Sequence, residues 1–337
     1  MIESESAGMT GGLGGTKTAQ RGFVHSALLY RSQREYLDVV VRFVLDGLTR
    51  DEAVLVALPD DKLALLRDAF QAFQASGGGL PAGLRLADIA EVGRNPSRFM
   101  AIQGSFADEH PDRRVRIVSQ LAWPGRSDDE FVACIEHEAL VNGALEGYQA
   151  TGLCLYDASR LNDDVLADAR ATHPLLWRCG ELHRSADYAP DDVLERCNRP
   201  LHVKPGAVTY MVRKSADLRP ARSFAVDYAG WVGLSRDGIE DLQLIATELA
   251  SNSLMYTEGA CRLAFWRDDE HLVCEARDTG RLDDRLVGRL DPGPDGPASR
   301  GLFLVNAISD LVRTHTTSSG TTIQAYLRFH PSPGPNG

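Results

Sequence analysis

Between residues 24 and 172 the chain alternates two rhythms. Short apolar runs of strand length, "VHSALLY", "AVLVALP", "RVRIVSQLAW" and "GLCLYDA", are separated by longer stretches with apolar residues at helical spacing. In 33–49 these are Leu37, Val40, Val41, Phe43, Val44 and Leu48. A run that is apolar throughout suits a strand buried on both faces, and a helix between two such strands supplies a crossover. The pattern therefore predicts an α/β domain with a parallel or mostly parallel sheet covered by helices on both faces. Strands are expected at 24–32, 53–59, 83–92, 114–123 and 152–158. Helices are expected at 33–49, after Asp60 and Asp61, after Asn95, at 128–145 and at 164–172.

The rhythm changes after a polar stretch, 185–205, that holds Pro190, Pro200 and Pro205. Beyond it we expect a strand at 206–214, helices at 218–234 and 237–256, and a hairpin of "CRLAFWRDD" with "HLVCEARDT". A Gly/Pro/Asp-rich stretch at 283–298 suits neither element and reads as a mobile lid. A helix at 300–312 and a strand at 321–329 follow. This order predicts an α+β sandwich with helices on one face of a largely antiparallel sheet. The expected division is a disordered tail at 1–20, a domain at 21–190, a linker at 191–205, a second domain at 206–330 and a tail at 331–337.

The formal net charge of -11 argues against nucleic acid as a direct partner, since phosphate binding needs a basic face. No apolar run reaches membrane-spanning length, and the first 20 residues lack the apolar core of a signal peptide. The six cysteines show neither C-x-x-C pairs nor metal spacing, and Cys154 and Cys274 lie in apolar runs. Buried reduced thiols in a cytoplasmic protein are expected.

Four features of the second half recur in an order that suits a nucleotide. Glu248 and Asn252 lie one turn apart on "DLQLIATELASNSLMYT", beside the stripe Leu242, Ile245, Leu249 and Tyr256. Asn252 offers a neutral oxygen suited to Mg²⁺, and Glu248 is placed to act as a general base. Asp278, in "DTG", can accept from the exocyclic amine of adenine, while Gly280 lets a base approach the backbone. "SRGL" follows, with Ser299, Arg300, Gly301 and Leu302. Free N–H groups at the start of that helix favour phosphate, and Arg300 can reach the terminal one. Gly320 and Thr321 lead into the last strand, where Thr321 can hold a water or the base edge.

This ordered set resembles the GHKL (Bergerat-type) ATPase superfamily over about 202–330. Asn252 and Glu248 match its N-box, Asp278 and Gly280 its G1 box, Arg300, Gly301 and Leu302 its G2 box, and Gly320 and Thr321 its final Gly-Thr. Within the superfamily the segment looks like the Rsb-type anti-sigma regulatory kinases. That resemblance implies ATP and Mg²⁺ as cofactors and Glu248 as the acid that assists transfer of the γ-phosphate. The acceptor would be a serine or threonine of an anti-anti-sigma (STAS-type) partner. It also implies a sigma factor as a second partner and allows a homodimer. Ser299 stands where the G2 box usually has glycine, and Tyr256 where a histidine is often found. These departures bear on rate more than on nucleotide binding, and leave a non-catalytic ATP-binding switch as the alternative.

A sensor histidine kinase is a weaker reading. "HEALVNG", beginning at His137, lacks the usual proline, and a strand-helix-strand series separates it from the ATPase segment. The helices at 218–234 and 237–256 contain no histidine. In the first half "GGGLPAG" at 77–83 lacks the lysine of a phosphate loop and follows a helix. Instead "HSALLYRSQREYLDVVVRFVLDGL", "LVALPD", "EHEALVNGAL" and "LCLYDASRLNDDVLADARATHP" resemble the MEDS sensory domain. That resemblance implies a reduced RecA/KaiC-like fold that senses a small molecule or protein signal. The polar residues His25, Tyr30, Glu138, Asn142, Tyr156, Asp157 and His173 fall near expected strand ends. Of these, His25, Tyr30, Asp157 and His173 are the candidate sensory ligands, since ligands of open α/β sheets favour the carboxyl ends of strands.

Overall fold

The computed structural model describes residues 22–329 except 76, 80, 81, 269 and 294–296. The expected tails at 1–20 and 331–337 lie outside the described residues. The first half builds a seven-stranded sheet from β1 (Val24–Tyr30), β2 (Ala53–Leu58), β3 (Leu84–Asp88), β4 (Val115–Ser119), β5 (Ala150–Asp157), β6 (Leu175–Arg178) and β7 (Glu181–Arg184). Their order is β3-β2-β4-β5-β1-β6-β7, and every pairing is parallel except β6 with β7. One face packs under α1 (Gln33–Thr49) and α2 (Asp60–Ala75). The other packs under α3 (Ile89–Val92), α4 (Pro96–Asp108), α5 (Asp128–Ala144) and α6 (Asp163–Thr172), with α7 (Pro190–Cys197) beside them. The expected α/β architecture is the one observed.

The second half contains β8 (Val208–Val212), α8 (Leu218–Val232), α9 (Arg236–Tyr256), β9 (Cys261–Asp268), β10 (His271–Asp278), α10 (Pro297–Ile308), β11 (Leu311–Thr317) and β12 (Gly320–Arg328). The five strands run β11-β12-β10-β9-β8, all antiparallel. Helices α8, α9 and α10 cover one face, through Ala221, Ala225, Leu242, Ile245, Leu249 and Val305. This is the expected α+β sandwich.

Local boundaries depart from the sequence reading where a polar side chain redirects the backbone. The strand expected to run through 92 stops at Asp88, whose carboxylate accepts from the Ala90 N–H at 2.8 Å and so caps α3. The β6–β7 hairpin and α7 occupy a stretch in which no element was expected. Helix α10 runs from Pro297 to Ile308 rather than from 300 to 312, so Gly301 lies one turn inside it and not among its free N–H groups. The Ser309 N–H still bonds Val305 O, but the Asp310 N–H bonds Tyr326 O, and the chain continues as β11 against β12.

Helix α5 explains how the halves meet. It starts at Ser127, which forms a capping box with Glu130. Its buried residues run consecutively from Ala133 to Val141, with no solvent face over that length. A helix buried all round, with Glu136, His137 and Glu138 among its buried residues, is covered from more than one side. Cys134, Leu140 and Val141 join one core of the parallel sheet, Ile135 and Ala139 join another, and Ala133 packs on Trp266, Val273, Leu311 and Tyr326. The helix-free face of the antiparallel sheet is thus partly covered by the first domain.

Candidate functional site

In α9 the Ser235 hydroxyl accepts from the Gly238 N–H and caps the first turn. The apolar residues Leu242, Ile245, Ala246, Leu249 and Ala250 fix the helix to the sheet, which leaves Glu248 and Asn252 half-buried on its flank. Both face the first half of α10. A methyl group at Gly301 would lie 2.6 Å from Glu248 Oε2 and 3.3 Å from each polar atom of the Asn252 carboxamide. A side chain there would have to push aside the tip of Glu248, so glycine keeps the α10 backbone close to both residues. The Asn252 Nδ2 is buried and has no hydrogen-bond partner.

Asp278 closes β10. Its Oδ2 accepts from Ser253 Oγ at 2.5 Å, one residue after Asn252 on α9, and its Oδ1 accepts from the Gly280 N–H at 2.9 Å. The carboxylate is therefore held in one orientation. A Cβ on Gly280 would strike Thr257 Cγ2 at 2.4 Å. Thr321, opposite Asp278 in the β10–β12 ladder, donates to Gly280 O at 2.8 Å and lies 2.9 Å from Thr316 Oγ1. Gly320 has φ +146°, and a Cβ there would lie 2.2 Å from Asp278 O.

These elements enclose a cavity of about 440 Å³. Leu249, Ala276, Val287, Leu302 and Ile323 give it an apolar wall, and Asn252, Asp278 and Thr321 supply polar groups. An apolar slot with a few fixed polar atoms is the general form of a small-molecule site. Its oxygen donors, Glu248 and Asn252, are of the hard type that suits Mg²⁺. Arg300 is exposed in the first turns of α10, and Ser299 precedes it in the same helix, its side chain outside the described residues. Glu248, Asn252 and Gly301 meet at one place, where Asn252 borders the pocket. Asp278, Gly280 and Thr321 border it elsewhere, with Gly320 behind Asp278, and Leu302 joins the apolar wall.

The segment from β10 to α10, expected as a mobile lid, has no regular element among its described residues but is fastened to the first domain. Leu286 and Leu290 pack against a core of the parallel sheet. Arg285 donates to Leu194 O at 2.7 Å. Arg289, 8% exposed, donates to Ser97 Oγ at 2.8 Å and pairs with Glu136 of α5 at 3.0 Å. The sequence reading did not anticipate Arg289 and Glu136. An arginine in an exposed-looking loop gives no sign of its partner.

The four candidate sensory residues fall into two pairs. Tyr30 and Asp157 are opposite each other at the carboxyl ends of β1 and β5. Tyr30 is buried beneath Lys62, which lies 5.3 Å above its ring. Burial first, and then Asp157, push its phenol up to about 12. Asp157 accepts from the N–H and hydroxyl of Ser159 and so shapes the turn after β5. His25 and His173 instead meet deeper in the domain, with ring centroids 4.0 Å apart. Two further side chains join them, Glu138 of α5 and Cys154 of β5. Cys154 was expected only as a buried thiol. His137, next to Glu138, is 1% exposed on a helix covered on all sides, a poor position for a phosphate acceptor.

Residues 24–174 match the family model of the MEthanogen/methylotroph, DcmR Sensory domain (MEDS), and residues 211–327 match that of the histidine kinase-like ATPase domain. The chain is thus a fusion of these two domain types. No curated protein matches it. Among solved structures it is similar to the SiaB-SiaC complex of Pseudomonas aeruginosa, with 14% identity and a TM-score of 0.31 over 36% of this chain and 88% of that one. It is also similar to the RsbU and RsbW domains of Rv1364c from Mycobacterium tuberculosis, with 16% identity and a TM-score of 0.28 over 37% of this chain and 33% of that one. Among the described residues no helix is long and apolar enough to cross a membrane.

Proposed function

We propose that the chain is a cytoplasmic anti-sigma-type regulator. Its C-terminal ATPase domain transfers phosphate from ATP to a serine or threonine of an anti-anti-sigma partner, under control of the N-terminal sensory domain. The observation that carries this reading is the corner where Glu248 and Asn252 face Gly301, one turn into α10, with the Asn252 amide nitrogen buried and unpartnered. The purine would lie against Leu249, Ala276 and Ile323, with its amine at Asp278. The phosphates would meet the N–H groups of the first turn of α10 and the side chain of Arg300. Mg²⁺, held through the Asn252 oxygen, would neutralise phosphate charge. Glu248 takes the proton from the acceptor hydroxyl as its oxygen bonds to the γ-phosphorus and ADP leaves. The docked lid segment supplies the route of control, because Arg285, Leu286, Arg289 and Leu290 touch the sensory domain while Val287 lines the pocket.

A second reading, a switch that binds ATP without transferring phosphate, is favoured by Ser299 standing where the G2 box has glycine. Incubating the full-length protein with labelled ATP and candidate STAS-type proteins tests both. Label on a serine or threonine of the partner supports the kinase. ATP-dependent association without label supports the switch. Absence of ATP binding in calorimetry sinks both.

A further inference from the structure

We propose that His25, Glu138, Cys154 and His173 form a closed four-coordinate site for a zinc-type divalent metal ion inside the sensory domain. The four come from four elements or their ends. His25 is on β1 and Cys154 on the neighbouring β5. Cys154 is paired with Ala27, two residues after His25, so both side chains project from the same face of the sheet. Glu138 descends from α5, which covers that face, and His173 stands at the C-cap of α6. All four are buried, with exposures of 2%, 2%, 4% and 0% in sequence order.

Four of the six separations between their donor atoms match those around a tetrahedral ion. Glu138 Oε2 lies 3.3 Å from His25 Nε2, 3.3 Å from Cys154 Sγ and 3.4 Å from His173 Nε2. His25 Nε2 lies 3.3 Å from Cys154 Sγ, and all four donor atoms fall within 4.8 Å of one another. Zinc bonds of about 2.0–2.3 Å at tetrahedral angles place neighbouring ligand atoms about 3.3–3.7 Å apart.

The surroundings fix which atoms face inward. Asn142 Nδ2 donates to the carbonyls of Glu138, Ala139 and Thr172, so its Oδ1 is the atom turned to His25 Nδ1 at 3.0 Å. An amide oxygen only accepts, so His25 Nδ1 carries the proton and donates. His173 Nδ1 lies 2.7 Å from Ala169 O, which likewise can only accept. With both Nδ1 protons committed outward, each neutral ring turns a lone pair at the Glu138 carboxylate. His173 Nε2 has no hydrogen-bond partner at all. As a thiol Cys154 donates to Glu138 Oε2; as a thiolate it makes the fourth of four acceptors converging in a buried space, which a cation between them satisfies.

A doubly charged ion balances the charge, since Glu138 and a Cys154 thiolate supply two negative charges to two neutral imidazoles. Asn142 and the Ala169 carbonyl then act as the outer partners that orient metal-bound histidines, and Ser119 Oγ, 3.5 Å from Cys154 Sγ, is placed to donate to the thiolate. Two nitrogens, one sulfur and one oxygen at tetrahedral spacing select zinc over magnesium or calcium, which prefer more oxygen ligands. Four protein ligands leave no open position, so the site suits structure or sensing rather than hydrolysis.

The test uses full-length protein purified without chelator from zinc-supplemented medium. Mass spectrometry of bound metals is expected to give one zinc per chain. The cobalt-substituted protein is expected to show the thiolate-to-metal absorption and strong visible bands of a tetrahedral site. Cys154→Ser is expected to lose the thiolate band, and Glu138→Gln to lower zinc affinity by about tenfold or more. Should either variant fail to fold, the wild-type metal content and cobalt spectrum decide alone. Folded wild-type protein with no bound metal and no cobalt bands would overturn the site and leave a hydrogen-bonded polar core. Neither readout involves nucleotide, so it stands or falls apart from the ATPase.

Discussion

Arg289, eleven residues beyond Asp278 in the chain, is paired at 3.0 Å with Glu136 of α5, and both side chains are about nine-tenths buried. One end of this pair belongs to the segment that borders the nucleotide pocket, the other to the helix that also carries Glu138. A buried ion pair loses more when one partner is removed than it contributes as a whole, because the survivor keeps its burial and loses its counter-charge. Arg289→Ala is therefore expected to cost about 3 kcal/mol in chemical denaturation. Replacing both residues with Met and Leu should cost less than the single change. Because Val287 lines the pocket two residues away, Arg289→Ala should also speed release of a fluorescent ATP analogue by about fivefold or more. An unchanged release rate in stopped-flow would show that the docked segment does not govern the pocket.

Gly320 gives a sharper backbone test. Its φ of +146° is a conformation that L side chains rarely adopt, and a Cβ there would lie 2.2 Å from Asp278 O. The β10–β12 ladder would have to open where Thr321 pairs with Asp278. Gly320→Ala should lower stability by about 2–3 kcal/mol and weaken nucleotide binding together, since one shift disturbs both. The matching control is Gly230→Ala in α8, where a Cβ meets nothing within 4 Å. There the helix-favouring change should be neutral or slightly stabilising.

The ATPase domain should also lose stability in mild acid through His271. Burial first, and then Arg328, hold its pKa below the ordinary histidine value, against the opposing pull of Asp310, Glu130 and Glu270. The unfolded chain takes up a proton here more readily than the folded one. The contribution of neutral His271 is thus complete above the unfolded value of about 6.5 and is lost as pH falls through it towards the lower folded value. The melting temperature of the wild type relative to His271→Gln should therefore fall between about pH 7.5 and about pH 5. A difference that stays constant with pH would refute the assignment.

That the residues around the cavity would come together was legible in the sequence, because they are tied to local punctuation. Gly301 lies in the first turns of a helix, Gly320 opens a strand, and Glu248 and Asn252 share one helix at one-turn spacing. The metal cluster was not legible in the same way. His25, Glu138, Cys154 and His173 are scattered over nearly 150 positions and no two are at ligand spacing. Only the pairing of β1 with β5 and the descent of α5 bring them together. Cys154 in particular sits in an apolar strand, where a thiol and an aliphatic side chain give the same pattern. The strand β11 was hidden for a different reason. Its first residues continue the apolar spacing of α10, and the break comes from the Asp310 N–H bonding across to Tyr326, a partner sixteen residues away.

The strongest separation between the two functional readings comes from Glu248 and Asn252, which flank Gly301 but have different chemistry. A carboxamide that holds the phosphates through a cation acts in the ground state as well as in the transition state. Asn252→Ala should thus weaken ATP binding by about tenfold or more in calorimetry with Mg²⁺ present. A general base acts on the acceptor hydroxyl only as phosphate moves. Glu248→Gln keeps the size and the contact with Gly301, so ATP affinity should stay within about threefold, while phosphotransfer to the partner falls by about a hundredfold. In a non-catalytic switch Glu248→Gln has no transfer to lose, and partner association should remain ATP-dependent and unchanged. Equal loss of ATP affinity in both variants would instead make Glu248 part of the binding site and remove it as the base.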